Sequence, residues 1–332
     1  MRKMDELISI IVPVYNAETT LARCVAALRN QTYNRIEIIL VNDGSSDGSL
    51  ALCRKFETAD PRIRVVDKVN GGVSSARNAG LDMARGELIM FCDSDDWAEP
   101  GWCEELITHY EPGHLLMCGT YIEGEQQFVP HEVKATSIQQ YAKKDFHKLK
   151  LKMFNVPWNK IYASSVLRDH QLRFCSDLTN GEDYLFNLQY LSYIDGNIIF
   201  LDKCVFHYVW PREYSLSKKT PVDYDKQCCI LSRRVFEISD GFSIDPQTKI
   251  GIATDFYNEF HKCICSILNN KQMPAHEKIS SMTKIMSSGE YQQCAAGAII
   301  SSNKIYTHLA RQKHGLGLLL WHQLLEVKRG KK

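Results

Sequence analysis

The chain has 332 residues, 44% of them hydrophobic, and 40 Lys plus Arg against 39 Asp plus Glu leave a formal charge of +1. That length suits about two domains of ~150 residues, and the apolar content excludes wholesale disorder. The near-neutral balance offers no global field to a polyanion, so no nucleic-acid partner is expected. Apolar runs such as Leu88–Cys92 and Leu318–Trp321 are far shorter than the roughly 20 residues a spanning helix needs.

Arg2 and Lys3 precede the apolar stretch Leu7–Val14. Asp5, Glu6 and Pro13, with no small-residue cleavage site, make this a buried strand rather than a signal peptide. Ser9–Val14 is its β-branched heart, and Thr19 or Thr20 caps a helix running to about Arg29. Ile36–Val41 reads as a second strand, followed by a Gly/Ser/Asp turn and a helix over Asp47–Phe56. Ile63–Val66, a helix over Ser74–Ala84 and the strand Leu88–Cys92 complete the series. Short apolar strands alternating with helices predict an α/β protein with a mostly parallel sheet flanked by helices. Right-handed crossovers then bring Asn42–Asp47 and Asp93–Asp96 to one rim, where α/β proteins bind ligands.

After Pro100 the rhythm loosens. Leu115–Ile122 reads as a strand, Ser137–Phe154 as a mainly helical segment, Asp183–Tyr193 as a helix and Ile198–Tyr208 as a strand. Lys143, Lys144, Lys148, Lys150 and Lys152 are read as a solvated face. From Val222 onward the chain is expected to be helical. Twelve cysteines without a C-x-x-C pair imply reduced, buried thiols and a cytoplasmic protein.

Three turns on the predicted rim carry complementary chemistry. Asp93-Ser94-Asp95-Asp96 crowds carboxylates that suit Mg²⁺ or Mn²⁺ when phosphate oxygens join them; an ordinary acidic turn is the plainer alternative. Asn42-Asp43-Gly44-Ser45-Ser46-Asp47-Gly48-Ser49 offers Asp43 to an imide N–H or ribose hydroxyls, beside the plain reading of a turn capped by Ser46 or Asp47. Asn70-Gly71-Gly72 with Arg77-Asn78 places backbone amides and a guanidinium near a helix start, an arrangement that suits a diphosphate.

Together with Ile10-Ile11-Val12-Pro13-Val14-Tyr15-Asn16-Ala17-Glu18, these turns strongly resemble the glycosyltransferase family 2 module of GT-A fold. The resemblance is dense over residues 7–110 and sparse to about 217. It implies a nucleotide-sugar donor, often a UDP-sugar, and a divalent cation, Mn²⁺ or Mg²⁺. By position, Pro13, Tyr15 and Glu18 border the nucleotide, Asp43 faces the base, and Asn70, Gly71 and Arg77 lie near the diphosphate. Asp93, with Ser94, reaches ribose or sugar hydroxyls, Asp95 holds the metal, and Asp96 closes the turn.

Trp158-Asn159-Lys160 and Gly181-Glu182-Asp183 resemble the family's acceptor-side motifs. This implies Asp183 as general base and Glu182 in orientation or on sugar hydroxyls; an acidic pair at a helix start is also favoured by the helix dipole alone. Phe206-His207-Tyr208 with Ser215-Leu216-Ser217 resembles the following motif, where a His approaches the metal. Here Val209 stands where an Arg is common. Leu316–Val327 with the basic end Lys328-Arg329-Gly330-Lys331-Lys332 is either an interfacial membrane helix or a core-packing last helix.

The resulting expectation is a GT-A domain over residues 1–215, with its donor half at about 1–110 and its acceptor half at 111–215. A helical region follows over 216–332. The implied activity is metal-dependent, inverting transfer of a hexosyl or N-acetylhexosaminyl group to a saccharide acceptor, lipid-linked, at the inner face of the membrane. A catalytically silent nucleotide-sugar binder and a nucleotidyltransferase are the rivals.

Overall fold

A computed structural model describes residues 5–122, 126–128, 136–145, 154–209, 223–298, 308–309 and 312–328. The chain divides into two compact units, one from Met1–Tyr141 with Leu149–Lys219, the other from Ala142–Lys148 with Thr220–Lys332.

The first unit opens with the expected alternation. β1 (Ile8–Val14), α1 (Leu21–Arg29), β2 (Ile36–Asp43), α2 (Ser49–Ala59), β3 (Ile63–Lys68), α3 (Val73–Met83) and β4 (Leu88–Phe91) follow in order. The strands lie side by side as β3-β2-β1-β4, all parallel. Every residue of β1, β2 and β4 is buried. Helices therefore cover both faces, which is why these strands are continuous apolar runs rather than alternating ones. Ile8, Ile10, Val12 and Val14 pack in the same core as Leu21, Cys24, Val25 and Leu28 of α1. On α3, a Cβ at Gly80 would meet Ile11 Cγ2 at 2.3 Å, so the helix sits on β1 at a distance only glycine permits.

Beyond β4 the sheet is mixed. The chain continues through β5 (Trp97–Ala98), α4 (Trp102–His109), β6 (Leu115–Ile122), β7 (Gln126–Phe128), β8 (Thr136–Ser137) and α5 (Ile138–Asp145). It then forms β9 (Lys160–Ala163), α6 (Ser164–Asp169), α7 (Glu182–Leu191) and β10 (Asn197–Tyr208). β9 runs antiparallel between β4 and β6, while β10 is parallel to β6 and antiparallel to β5. An aromatic cluster forms behind β4: Phe91 meets Tyr162, Phe174 and Phe186 edge-on at centroid distances of 5.7, 5.3 and 6.0 Å.

Two expected caps are absent. Thr20 makes no side-chain capping bond to α1, and Gly48, not Ser46 or Asp47, holds the N-cap position of α2. Asp47 still serves that turn, because its Oδ1 accepts from Ser49 N at 3.0 Å. Of the helix expected over 137–154, α5 accounts for the part ending at Asp145; residues 146–153 lie outside the described residues.

Besides the end of α5, the described second unit contains α8 (Tyr224–Gly241), α9 (Pro246–Asn269), α10 (Ala275–Ser287), α11 (Gly289–Gly297) and α12 (Gly315–Lys328). Asp245 caps α9 by accepting from Thr248 N at 2.7 Å. α12 lies against α10, since a Cβ on Gly315 would come within 3.0 Å of Ile279 O. Leu318 and Leu319 are buried, whereas Leu316 and Leu320 are 49% and 51% exposed. No described helix is long and apolar enough to cross a membrane. The basic end beyond Lys328 lies outside the described residues. All twelve cysteines are free thiols, eight buried and four partly so.

Candidate active site

β1 is the strand at which the winding reverses, with β2 on one side and β4 on the other. The turns after β1, β2, β3 and β4 therefore open along one edge, the place where such sheets bind ligands. The first two turns are laced together. Asn16 N donates to Ser45 Oγ at 3.1 Å and Ser46 N to Asn16 Oδ1 at 2.8 Å. Glu18 N donates to Asp47 Oδ2 and Gly48 N to Glu18 Oε2, both at 3.1 Å. Asn16 adopts a left-handed φ of 48° to make this turn. Pro13 is buried beneath it, while Tyr15 stands 55% exposed at the rim.

Asp43 closes the next turn from inside. It is 3% exposed, and its carboxylate accepts from Gly71 N at 3.0 Å, Gly72 N at 2.8 Å and Lys68 Nζ. The Gly71 amide, expected at a diphosphate, is thus bonded to Asp43 and shapes the loop. Asn70 is exposed at its tip, packed so near Gly44 that a Cβ there would meet Asn70 N at 2.7 Å.

Arg77 corrects a larger expectation. It is 3% exposed on α3, and its guanidinium faces carboxylates rather than open rim. Nη1 donates to Asp183 Oδ1, with Glu182 Oε1 at 3.7 Å, and Nη2 donates to Asp93 Oδ1 at 2.9 Å. With both ends of the fork so engaged, it is not presented to a diphosphate. Asp93 and the pair Glu182–Asp183 consequently share one cation, although 90 positions separate Asp93 from Asp183. Gly181, at φ 87° before α7, makes the left-handed turn that aims the acidic pair inward. Burial pushes the Asp183 and Glu182 carboxyls up, and Arg77 only partly counters this. For Arg77, burial lowers the pKa, but the attraction of Asp183, Asp93 and Glu182 outweighs it and raises the value.

The acidic turn after β4 lies beside this cluster. Asp96 is 1% exposed; its Oδ1 accepts from Val209 N at 2.8 Å, which closes the turn as expected. Its Oδ2 is buried with no hydrogen-bond partner among the described residues. Ser94 is half-buried, and Asp95 presents an exposed side chain. Enough protein surrounds Asp95 that burial, with the charge of Asp93, pushes its carboxyl up to about 6. Crowded carboxylates of this kind suit a hard divalent cation. Among the described residues no three metal-binding side chains converge, so phosphate and water oxygens would complete such a shell.

His207 sits in the β5–β10 contact. Its Nε2 is paired with Glu99 Oε1 at 2.7 Å, and its ring is stacked between Trp97 at 3.5 Å and Tyr121 at 4.6 Å. The histidine expected as a metal ligand is packed between these rings with Glu99 on its Nε2. Ser215 and Ser217 lie outside the described residues.

Trp158, Asn159 and Lys160 also differ from expectation. They are 3%, 1% and 0% exposed, too deep to touch an acceptor. Trp158 stacks on Phe206 and Tyr208 at 4.8 and 5.3 Å. Lys160 Nζ donates to Val156 O and to Asn159 Oδ1 at 2.7 Å, and burial drives its pKa well down. The motif is buried, with Lys160 near enough to act on the charge of Asp183.

One contributor, Phe174, has no signal in the sequence motifs, whereas Asn78, which holds it, stands beside Arg77 in one of them. Phe174 lies under the Arg77 guanidinium, 5.1 Å from Cζ, and stacks on Phe186 at 3.9 Å. Asn78 holds that segment by exchanging two 2.9 Å bonds with the Phe174 backbone. The adjacency of Asn78 to Arg77 was the one available signal.

A parallel half-sheet with a laced donor rim, an acidic turn after the fourth strand and a buried carboxylate cluster defines a GT-A-type module. Residues 9–171 match the family model described as glycosyl transferase family 2. Over those residues the chain is similar to that family. EpsH of Bacillus subtilis, named as a glycosyltransferase, is 34% identical over 207 residues, covering 60% of each chain. The glycosyltransferase GlyA of Streptococcus pneumoniae is 33% identical over 219 residues, 62% of this chain and 31% of that one. The chain thus spans less than two thirds of the length of these relatives. The crystal structure of S. aureus TarS 1–349 in complex with UDP-GlcNAc superposes with a TM-score of 0.72 at 20% identity, covering 98% of this chain and 92% of that one. That likeness concerns the fold.

Proposed function

We propose that this protein is an inverting glycosyltransferase that moves a sugar from a nucleotide-sugar donor, a UDP-sugar, to a hydroxyl of a saccharide acceptor in surface-polysaccharide synthesis. One observation carries the reading: Asp93, Glu182 and Asp183 meet around Arg77 at the strand edge where the donor-type loops open.

In this reading residues 1–110 hold the donor. Tyr15 offers its exposed ring to the nucleotide base, Asp43 keeps the loop at Asn70–Gly72 in shape for it, and Asp93 and Ser94 meet ribose or sugar hydroxyls. Asp95 would hold Mn²⁺ or Mg²⁺, which when bound offsets the diphosphate charge as the leaving group departs. Residues 111–215 serve the acceptor. Its hydroxyl oxygen attacks the anomeric carbon from the face opposite the diphosphate. The proton passes to the Asp183 carboxylate, and the bond to the diphosphate oxygen breaks. Burial raises the Asp183 pKa while Arg77 favours its ionised form, and a more basic carboxylate suits a general base. Glu182 orients the acceptor. A lipid-linked acceptor agrees with the exposed Leu316 and Leu320 of α12, which would let a peripheral protein rest on the inner face of the membrane.

The test is a product-forming assay with UDP-sugars, divalent cation and saccharide acceptors. Asp183→Asn, which keeps size but cannot take a proton, should lower kcat by about 10²-fold or more with donor affinity unchanged. Transfer within a few-fold of the parent would remove Asp183 from the mechanism.

A further inference from the structure

We propose that Arg77 is the positioning residue of this centre: its single buried guanidinium fixes the acceptor-side carboxylate Asp183 and the donor-side carboxylate Asp93 to each other. Base and donor are thereby set in register by one side chain. The inference rests on the reading of Asp183 as base.

The geometry requires a fork. Nη1 meets Asp183 and Nη2 meets Asp93 at 2.9 Å, two directions that one planar guanidinium spans and a lysine ammonium does not. The fork itself is held on a platform. Phe174 lies beneath it at 5.1 Å from Cζ, and that ring stacks at 3.9 Å on Phe186, three residues beyond Asp183 on α7. The arginine and the helix carrying the base therefore rest on the same aromatic pair. At 3% exposure Arg77 has no path to a diphosphate that leaves both bonds intact.

The groups facing Asp183 are Arg77 from α3, Asp93 after β4, Lys160 and Tyr162 from β9, and Glu182 beside it on α7. Arg77 is the one cation bonded to Asp183 among the described residues. Its charge favours the ionised base, so losing it should move the acidic limb of the rate profile upward.

The experiment uses the full chain with Arg77→Met, Arg77→Lys and Asp183→Asn in parallel, in the product-forming assay across pH, with thermal melts for each. Arg77→Met should lower kcat by about 10²-fold, keep donor KM within about threefold, and move the acidic limb of kcat/KM up by about one pH unit. Arg77→Lys, which keeps the charge without the fork, should return the limb to its parental place and leave kcat at least about tenfold low. An unmoved limb in folded Arg77→Met would overturn the proposal, as would a loss confined to donor KM, which marks a diphosphate contact. Should Arg77→Met fail to melt cooperatively, Arg77→Lys decides alone: parental kcat refutes the proposal, and a low kcat with an unmoved limb supports it. Parental turnover in Asp183→Asn would instead sink the base reading beneath it. An inactive Asp183→Asn with an unmoved Arg77→Met limb sinks the Arg77 proposal only.

Discussion

The donor rim and the acceptor side of this module carry motifs of similar prominence in the sequence, yet they are built on opposite physical principles. At the rim the motif loops expose their tips at Tyr15, Asn70 and Asp95 and are shaped from within by bonds from side chains such as buried Asp43 to backbone amides. On the acceptor side the motif residues are buried, and only Asp183 and Glu182 border the site. The ionisable groups separate in the same way. Asp47, in the rim lacing, has its pKa lowered because bonds from Ser49 and Glu18 overcome the cost of burial. Glu182 and Asp183 are raised because burial prevails. A motif therefore marks a position the fold needs, and burial decides whether that need is contact or support.

Several measurements would break or sharpen this contrast. The largest effect is expected at the metal position. Asp95→Ala, or excess chelator on the parent, should reduce turnover by about 10²-fold or more while the melting temperature stays unchanged. Calorimetry giving equal UDP affinity with Mn²⁺ and with chelator would count against it. Next comes Lys160→Met in the buried support. Losing its bonds to Val156 O and Asn159 Oδ1 should cost about 0.5–1.5 kcal/mol of stability for each bond, read by denaturant melts, with little change in donor KM; a folded, fully stable variant with altered acceptor KM would return Lys160 to the acceptor surface. Tyr15→Ala should do the reverse, raising donor KM by less than about tenfold at a stability cost within about 0.5 kcal/mol. The smallest effect is a pH dependence. Because the folded pKa of Glu182 lies above its unfolded value of about 4.3, its favourable contribution is complete below that pH and is lost as pH rises through the folded value. The melting temperature of Glu182→Gln minus that of the parent should therefore grow from pH 4 to pH 8, and a flat difference would contradict the raised carboxyl. Asp47→Asn should lose ground in the opposite sense, relative to the parent, as pH rises from strong acid past about 3.9.

Much of the donor half was legible because local pattern determines it. β1 to β4 are apolar runs separated by helices, and their parallel order places the rim turns together. β9 was not legible: four residues, Lys160–Ala163, carry no period, and antiparallel pairing with β4 and β6 is a non-local fact. Arg77 was recognised as a site residue, but its partners were not, since an arginine is ordinarily exposed and nothing local reports Asp183. The surroundings of His207 were not legible for a related reason. Its stacking and its bond to Glu99 depend on β5, a two-residue strand formed only in the presence of β10.

The lacing of the first two rim turns has a consequence for engineering. Asn16, Glu18, Ser45, Asp47 and Gly48 exchange bonds in both directions, so neither loop keeps its shape when the other is replaced. Asp43 and Gly44 tie the third loop to the second in the same manner. For anyone recombining such enzymes to change what they accept, these three segments are one heritable cassette. Crossovers belong within the strands, between Val14 and Ile36 only if the partner turn travels too, and single-loop chimaeras should be recovered mainly as inactive proteins.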